Sequence, residues 1–281
     1  MMDIYSKITE IRNNGDKAVL ITVTSKEGNS PTDVGKKLLV TSDHNFIGTI
    51  GGGSIEHFAI NKAKEILKSK TSISENYVLN DKEIKVADDE IKLEMACGGK
   101  ATLFYEYIGP LERVYIFGAG HCGKEVSTLL KNMDFFTVLI DDRVDLLEAA
   151  KNDANKLINS SFADFFEKYN LTSDDYIVVS TPSHKYDYLV LDKIFEKEVD
   201  PAYFGMLCSR KKIHDYLTDL KQKYPNANLK NFYSPIGLDI GGDSPKEVAI
   251  SVVGEILAKH YGKESINSHM RNKVNLEDKY F

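Results

Sequence analysis

The sequence predicts an α/β protein, with a smaller α+β domain at the N-terminus and a doubly wound parallel sheet at the C-terminus. From Val114 onward, apolar stretches typical of strands alternate with amphipathic stretches typical of helices. This alternation indicates a parallel sheet covered by helices. The first 108 residues lack it and contain several β-rich stretches around one internal helix. A length of 281 residues also suits two domains of ordinary size.

The N-terminal domain, which we assign to residues 1–108, begins with a helix. Apolar residues recur at helical spacing from Asp3 to Asn13, and Gly15 ends the pattern. The Gly109-Pro110 pair breaks the last strand pattern and marks the domain boundary. Between these points the patterns predict, in order, a strand at residues 18–25, a turn-rich loop, a hairpin of two short strands, a helix at about residues 54–70 and a mainly β segment at residues 73–108.

We assign residues 113–262 to the C-terminal domain and residues 263–281 to a polar tail. The last helix of this domain has clear start signals, because Ser244 is a good N-cap, Pro245 suits the first helical position and Glu247 completes a capping box. The strands are predicted in VYIFGAG, TVLIDD, KLINSS, YIVVST and AYFGML, with helices between them, among them residues 185–198 and 209–224.

Composition argues against several classes of protein. A formal net charge of -6 disfavours a general nucleic-acid binder, which needs a basic face. No apolar run approaches the roughly 20 residues that span a bilayer, and charges interrupt the N-terminus where a signal peptide needs an apolar stretch. Three cysteines, Cys97, Cys122 and Cys208, are too few for a disulfide framework and suit a reducing compartment. We therefore expect a cytoplasmic protein.

A glycine fingerprint of the form G-x-G-x-x-G lies between a predicted strand and a predicted helix. Gly118 permits a tight turn, Gly120 lets the backbone approach a phosphate, and Gly123 lets the helix pack on the strand. The N–H groups at the start of that helix attract an anion. This context predicts a Rossmann domain that binds a dinucleotide. The alternative is a Rossmann scaffold whose site is vestigial or serves another ligand.

Four residues near the fingerprint are candidates for specific roles. Asp141 ends the second strand, about 20 residues on, where an acidic residue usually meets a ribose hydroxyl. Arg143 would instead favour an added 2′-phosphate. His121 lies in the loop and is expected to donate a hydrogen bond to a ligand phosphate. Cys122, beside it, is expected to be a small packing residue.

Two further glycine clusters lie in the N-terminal domain. Gly51–Gly53 run into a predicted helix, where successive N–H groups make either an anion-binding concavity or a tight turn. Glu56 follows as either a ligand contact or a surface acid. Cys97 precedes Gly98-Gly99, and bare amides there would lower the pKa of its thiol and make it nucleophilic or metal-binding. The alternative is a buried cysteine beside a bulge.

Taken together and in order, these motifs resemble those of the XdhC/CoxI family over nearly the whole chain. Three of the matching residues, Thr181, His184 and Asp187, form a T-x-x-H-x-x-D element. The matching segments are GNSPTDVGKKLLV, which contains Ser30, then GTIGGGSIE, CGG, IFGAGHCG, IDDR, TPSHKYD, GMLCSRKK and SPIGLDIGGDSPKEVAISVVGEI. Thr32 stands where the family has an arginine, and Cys208 stands where it has a glycine.

The resemblance implies an accessory factor for molybdenum hydroxylases such as xanthine dehydrogenase. Such a factor binds the molybdenum cofactor, as molybdopterin or its dinucleotide form, while a cysteine desulfurase supplies the terminal sulfur ligand. It then passes the cofactor to the apo-hydroxylase. The resemblance implies that Ser30 and the glycine loops hold the cofactor and that Cys97 contacts molybdenum or relays sulfur. Loss of the arginine at Thr32 removes one phosphate contact. We also expect a homodimer.

Two other functions stay open. An NAD(P)-dependent oxidoreductase would bind its cofactor in the Rossmann domain, with His184 or His121 as the acid and Asp187 orienting His184. A nucleotide-sensing regulator would bind ligand there and a partner through the N-terminal domain. In either case, as for the accessory factor, we expect Gly51–Gly53 and Gly118–Gly123 to face one cleft.

Overall fold

The computed structural model describes residues 3–81, 87–95, 98–208 and 210–263. The chain divides into two compact units, Met1–Leu111 and Glu112–Phe281, and each has its own sheet and its own buried core. The predicted fold class is confirmed, since a parallel α/β sheet fills the second unit and a smaller α+β unit precedes it. None of the described helices has the length and apolarity needed to cross a membrane.

In the described part of the N-terminal unit, six strands form one sheet in the order β3-β2-β1-β6-β4-β5. Neighbouring strands are antiparallel, except for the β4–β5 pair. The predicted hairpin is present as β2 and β3. The elements are α1 (Ile4–Asn14), β1 (Ala18–Glu27), β2 (Lys37–Thr41), β3 (Phe46–Thr49), α2 (Gly53–Ser69), β4 (Ile73–Leu79), β5 (Glu90–Leu93) and β6 (Gly99–Ile108).

The central strand β1 shows why this sheet carries a helix on each face. Successive side chains of a strand point to opposite faces. Val19 and Ile21 belong to a buried cluster with Ile55 and Ala59 of α2. Ala18 and Leu20, on the other face, belong to a cluster that includes Ile11 of α1. The near-continuous apolar run of β1 is therefore needed on both faces of the sheet.

In the described part of the C-terminal unit, six parallel strands follow the order β9-β8-β7-β10-β11-β12. The direction in which strands are added reverses between β7 and β10. The elements are β7 (Arg113–Phe117), α3 (His121–Lys131), β8 (Phe136–Asp141), α4 (Val144–Ala149), β9 (Lys156–Asn159), α5 (Phe162–Lys168), β10 (Tyr176–Val179), α6 (His184–Glu196), β11 (Tyr203–Met206), α7 (Arg210–Lys223), β12 (Phe232–Tyr233) and α8 (Pro245–His260).

The core of this unit explains its unbroken apolar strands. All six residues of β8 are buried, as expected for a parallel strand covered by helices on both faces. Phe117 of β7 stacks on Phe166 of α5, with ring centroids 5.5 Å apart. Ser244 caps α8 and Glu247 completes the predicted capping box. Short elements α4, α5 and β12 were not predicted.

Candidate functional site

The two central strands of the parallel sheet end in loops that lie side by side. β7 leads into the glycine fingerprint and β10 leads into Ser180 and the T-x-x-H-x-x-D element. The N–H of Ser180 donates to Phe117 O at 2.9 Å. Since the strand order reverses here, this is the edge of the sheet where ligands of doubly wound folds bind. The fold therefore brings the glycine fingerprint and the T-x-x-H-x-x-D element to one crevice.

The three fingerprint glycines differ in the space that a side chain would find at each position. A Cβ on Gly118, which has φ +110°, would lie 2.4 Å from Ser180 O, so this position tolerates only glycine. A Cβ on Gly123 would lie 1.9 Å from Gly118 O, because the helix packs directly on the loop. At Gly120, by contrast, a Cβ would meet nothing within 4 Å among the described residues. Gly118 and Gly123 therefore leave no room for a side chain, whereas Gly120 lies beside open space that a phosphate could enter. Nucleotide binding stays a prediction.

Helices α3 and α6 both begin at this crevice. Within the described residues, neither Gly120 nor Ser183, their N-caps, makes a side-chain cap hydrogen bond. Uncapped N–H groups and the helix dipole favour an anion at such a position. His121, the first residue of α3, is exposed beside them. Three other helices, α1, α5 and α8, are capped by their own side chains, from Asp3, Ser161 and Ser244.

Asp141, at the end of β8, joins the fingerprint loop to Arg143. Its Oδ2 accepts hydrogen bonds from Ala119 N and Arg143 Nη2, both at 2.7 Å, and its Oδ1 accepts from Arg143 N and Nε. Burial by itself would raise the pKa of Asp141, but the hydrogen bonds from Arg143 and Ala119 outweigh it and lower the pKa. The side chain of Asp141 is fully buried, so neither carboxylate oxygen is exposed to a ribose hydroxyl in this conformation. The ribose contact stays a prediction.

The T-x-x-H-x-x-D element forms one connected group at the start of α6. The buried carboxylate of Asp187 accepts from Thr181 N at 3.2 Å and from Thr181 Oγ1 at 2.6 Å. His184 Nδ1 lies 3.4 Å from Asp187 Oδ2. Burial raises the pKa of Asp187, although the hydrogen bonds from Thr181 and the neighbouring His184 oppose that shift. An imidazole held against a carboxylate at a crevice can accept or donate a proton there.

Three loops that are far apart in sequence meet in the N-terminal unit. A Cβ on Gly51 would lie 2.6 Å from Pro31 O and 3.1 Å from Thr32 Cα. A Cβ on Gly99 would lie 3.0 Å from Ser30 N. The glycines therefore allow backbone to pack on backbone. This brings together Ser30 and the two glycine clusters that sequence analysis had connected only by motif.

The Gly51–Gly53 turn is closed by a carboxylate of the chain itself. Glu56 Oε2 accepts from Thr49 Oγ1 at 2.5 Å, from Ile50 N at 3.0 Å and from Gly52 N at 3.2 Å. Gly51 N donates to Thr49 Oγ1. Burial alone would raise the pKa of Glu56, but these hydrogen bonds outweigh it and lower the pKa. Of the amides in this turn, Gly52 N donates to Glu56, so the turn holds a carboxylate of the chain itself. Binding of a ligand anion by Gly51–Gly53 stays a prediction.

Thr32, at the position of the family arginine, has a buried hydroxyl. The residue is 0% exposed, and its Oγ1 has no hydrogen-bond partner among the described residues. Its backbone N–H lies 3.5 Å from Ser30 Oγ. An unpaired buried hydroxyl costs about 1–3 kcal/mol. A ligand or water that donates or accepts at this atom, next to Gly51, would remove that cost.

The three cysteines have different outcomes. Cys97 lies outside the described residues, so its predicted role stays a prediction. Gly98 and Gly99, which follow it, have φ of +65° and +136°, values that favour glycine. Cys122 is half-buried on α3, and burial raises the pKa of its thiol. Cys208 is half-buried after β11 and packs against the core of the unit. The cleft expected between the glycine loops likewise stays a prediction.

Comparison with known proteins identifies the family. The profile of the XdhC Rossmann domain matches residues 114–256. That of the XdhC and CoxI family matches residues 11–77. The chain belongs to the XdhC/CoxI family.

Relatives in this family are longer than the region they share with the chain. The chain is 25% identical over 260 residues to the uncharacterized protein YqeB of Escherichia coli K12, covering 91% of the chain and 46% of YqeB. It is 28% identical over 157 residues to a probable xanthine dehydrogenase subunit of Bacillus subtilis 168, covering 56% of the chain and 45% of that protein. The matched region thus spans less than half of each relative.

One solved structure has the same overall architecture. A crystal structure described as a xanthine dehydrogenase from Bacillus halodurans has a TM-score of 0.50 and 20% sequence identity. The match covers 96% of this chain and 99% of that one. At this identity the likeness supports the fold of this XdhC/CoxI-family chain.

Proposed function

We propose that this protein is an accessory factor that binds the molybdenum cofactor transiently and delivers it to a xanthine-dehydrogenase-type hydroxylase. The observation that carries the proposal is the open space at Gly120 beside the start of α3, which has no side-chain cap, in a chain of the XdhC/CoxI family. Its partners would be the apo-hydroxylase and a cysteine desulfurase, and it would act as a homodimer.

The residues present suit the anionic parts of that cofactor. The open space at Gly120 and the uncapped starts of α3 and α6 would hold a phosphate or pyrophosphate, with His121 beside them. In the N-terminal unit, the unpaired hydroxyl of Thr32 offers a hydrogen bond near Ser30. When bound, the cofactor would supply a molybdenum centre held by dithiolene sulfurs. The soft thiolate of Cys97 would contact that centre or, after taking the outer sulfur of the cysteine desulfurase's persulfide and releasing the desulfurase thiol, hold that sulfur beside it.

A reconstitution with apo-hydroxylase tests this proposal. The protein, purified without air, is expected to copurify with a pterin and to raise the molybdenum content and activity of the hydroxylase. Cys97→Ser should keep the fold but retain less cofactor and lower the sulfido content of the matured enzyme, because an alcohol is a poorer soft-metal ligand than a thiolate. Cys122→Ser is the matched control and should leave maturation intact. Wild-type maturation by Cys97→Ser would refute the thiol role.

One observation favours a second function. The His184–Asp187 pair at the crevice is an arrangement that an NAD(P)-dependent oxidoreductase would use for proton transfer. Such an enzyme would change the absorbance of NAD(P)H in the presence of a substrate. It would lose that activity, and keep cofactor affinity, in His184→Ala. A protein that copurifies with a pterin and leaves NAD(P)H unchanged excludes this alternative.

A further inference from the structure

An open groove of about 570 Å³ runs along the first turns of α2 in the N-terminal unit. It is lined by five residues of that helix, Gly53, Ser54, His57, Phe58 and Asn61, and by Leu93 and Glu94 at the end of β5. The helical residues recur at spacings of three and four, so they form one face. None of these side chains has been given a role by the sequence motifs, although the groove begins where the Gly51–Gly53 turn enters α2.

The floor of the groove is apolar and firmly held. Phe58 is half-buried, and its ring meets Tyr77 edge to face with centroids 5.6 Å apart. Leu93 is buried in the same core cluster. A fixed aromatic ring with an apolar neighbour is a surface on which a planar ring can stack. Such a floor favours a flat heteroaromatic ligand over a flexible chain.

The rim of the groove is polar. His57 and Asn61 are exposed one turn apart, and Asn61 Nδ2 lies 3.3 Å from His57 Nε2. Across from the helix, Glu94 is exposed at the end of β5. Among the residues that the structure describes, none forms a hydrogen bond or ion pair with the Glu94 carboxylate. The groove therefore offers a pair of carboxylate oxygens to a ligand.

We infer that this groove binds a 2-amino-4-oxo heteroaromatic ring, the recognition edge shared by pterin and guanine. Such a ring has a ring N–H beside an exocyclic amino group. These two parallel donors match the two oxygens of Glu94, and charge-assisted pairs of this kind are among the strong hydrogen bonds. The ring would stack on Phe58, and His57 and Asn61 would meet its remaining polar edge.

The position of the groove suits the substituent that such a ring carries. Gly53 and Ser54, the first residues of α2, form one end of the groove, where the helix dipole favours negative charge. A phosphate ester attached to the ring would be directed there, beside the turn whose Gly52 N–H already donates to Glu56. The inference rests on the proposed function, since it assigns residues to the pterin part of the cofactor. It concerns the N-terminal unit alone.

Binding of three probes to the full-length protein tests the inference. The probes are an oxidised fluorescent pterin phosphate, guanosine monophosphate and adenosine monophosphate, measured by fluorescence quenching or calorimetry. Wild type should bind the first two at least about tenfold more tightly than adenosine monophosphate, which lacks the paired donors. Glu94→Gln should weaken both preferred probes by about tenfold or more, since one acceptor becomes a donor. Tighter binding of the pterin than of the guanine probe identifies the pterin source, and the reverse identifies a guanine nucleotide.

A matched control lies on the same helix. Glu65 is a highly exposed acid of α2 outside the groove, where it pairs with Lys62. Glu65→Gln should bind every probe as wild type does. Absence of pterin and guanine binding in wild type, equal binding by Glu94→Gln, or equal affinity for all three probes would overturn the inference.

The outcome is separable from that of the proposed function. If a Gly120→Val variant loses the pterin probe and Glu94→Gln keeps it, the accessory role survives and the groove assignment is wrong. If wild type fails to raise the molybdenum content of the apo-hydroxylase but Glu94→Gln still weakens binding of the pterin and guanine probes, the groove assignment is supported and the accessory role is wrong.

Discussion

The carboxylate of Glu56 supplies a prediction at the scale of one residue. It accepts three hydrogen bonds, from Thr49, Ile50 and Gly52, and they lower its pKa in the folded protein. Glu56→Gln keeps the shape but loses the charge, so we expect a loss of about 1 kcal/mol in the free energy of unfolding at pH 7. Urea unfolding measured from pH 7 down to about pH 3 checks this.

The lowered pKa of Glu56 also predicts how the stability difference between wild type and Glu56→Gln changes with pH. Since the folded pKa of Glu56 is lowered, its stabilisation is complete above the ordinary glutamate pKa of 4.5 and is lost as the pH falls through the lowered value. The difference between wild type and Glu56→Gln should therefore shrink as the medium is acidified, because protonated glutamate resembles glutamine. A difference that is absent at pH 7, or that grows toward low pH, would contradict the role. Glu65→Gln, with no such turn contacts, is the control.

Individual residues also show where sequence reasoning succeeds and where it stops. The roles of Gly118 and Gly123 followed from the fingerprint, because backbone sterics dictate glycine at those points. The closing of the turn by Glu56 did not follow. Its only signal is an acid in the first helical turn after the glycines, and that pattern also fits a surface residue. Which acceptor takes a given N–H depends on distances in three dimensions.

At the scale of an element, the segment that joins β7 to α3 contains one glycine with room for a side chain, Gly120, and one without, Gly123. Gly120→Val puts a side chain into open space, so the fold should persist while dinucleotide affinity falls by about 100-fold or more. Gly123→Ala puts a Cβ 1.9 Å from Gly118 O, so it should cost about 1–3 kcal/mol of stability by overpacking. Calorimetry and urea unfolding of both variants separate the two effects. Unchanged affinity in Gly120→Val would remove the functional interpretation of the fingerprint.

Prediction of elements from sequence depends on their length and on local signals. The capping box of α8 was correct because Ser244 and Glu247 bond to each other's backbone within one turn. The α4 and α5 helices span 6 and 7 residues and β12 only 2, too few for a helical or alternating period to emerge. These short elements form through packing on longer ones.

The candidate sites at the scale of the whole molecule arise from chain topology. Parallel strands β7 and β10 bring the fingerprint and the T-x-x-H-x-x-D element to one edge, although more than 60 residues separate Gly118 from Ser180. Strand alternation predicts a parallel sheet with a ligand edge, so this meeting could be expected in outline. The contact between the loops of Ser30, Gly51 and Gly99 could not be predicted, because no local sequence pattern specifies which loops of an α+β unit touch.

Each unit should fold by itself, and that is the prediction at this scale. The units Met1–Leu111 and Glu112–Phe281 contain separate sheets and separate buried clusters, and both exceed the size below which a core needs disulfides or metals. Expressed alone, each fragment should unfold cooperatively in urea. The fragment that starts at Glu112 should bind a dinucleotide within about threefold of the full chain, since strands β7 and β10 and helices α3 and α6 are all within it.

Division of the chain inside the second unit is the control for division at the boundary between the two units. Division after Asp141 separates β7 and β8 from β10, and it removes one partner from the parallel pair that forms the crevice. The fragment that starts at Asp142 should then fail to unfold cooperatively, because the edge of β10 that β7 covers becomes exposed. The fragment that ends at Asp141 should unfold cooperatively only through its N-terminal unit. A fragment from Glu112 that folds but binds nucleotide much more weakly would mean that the N-terminal unit supplies part of the site, as the expected common cleft requires. Failure of that fragment to fold would instead show that the two units stabilise each other.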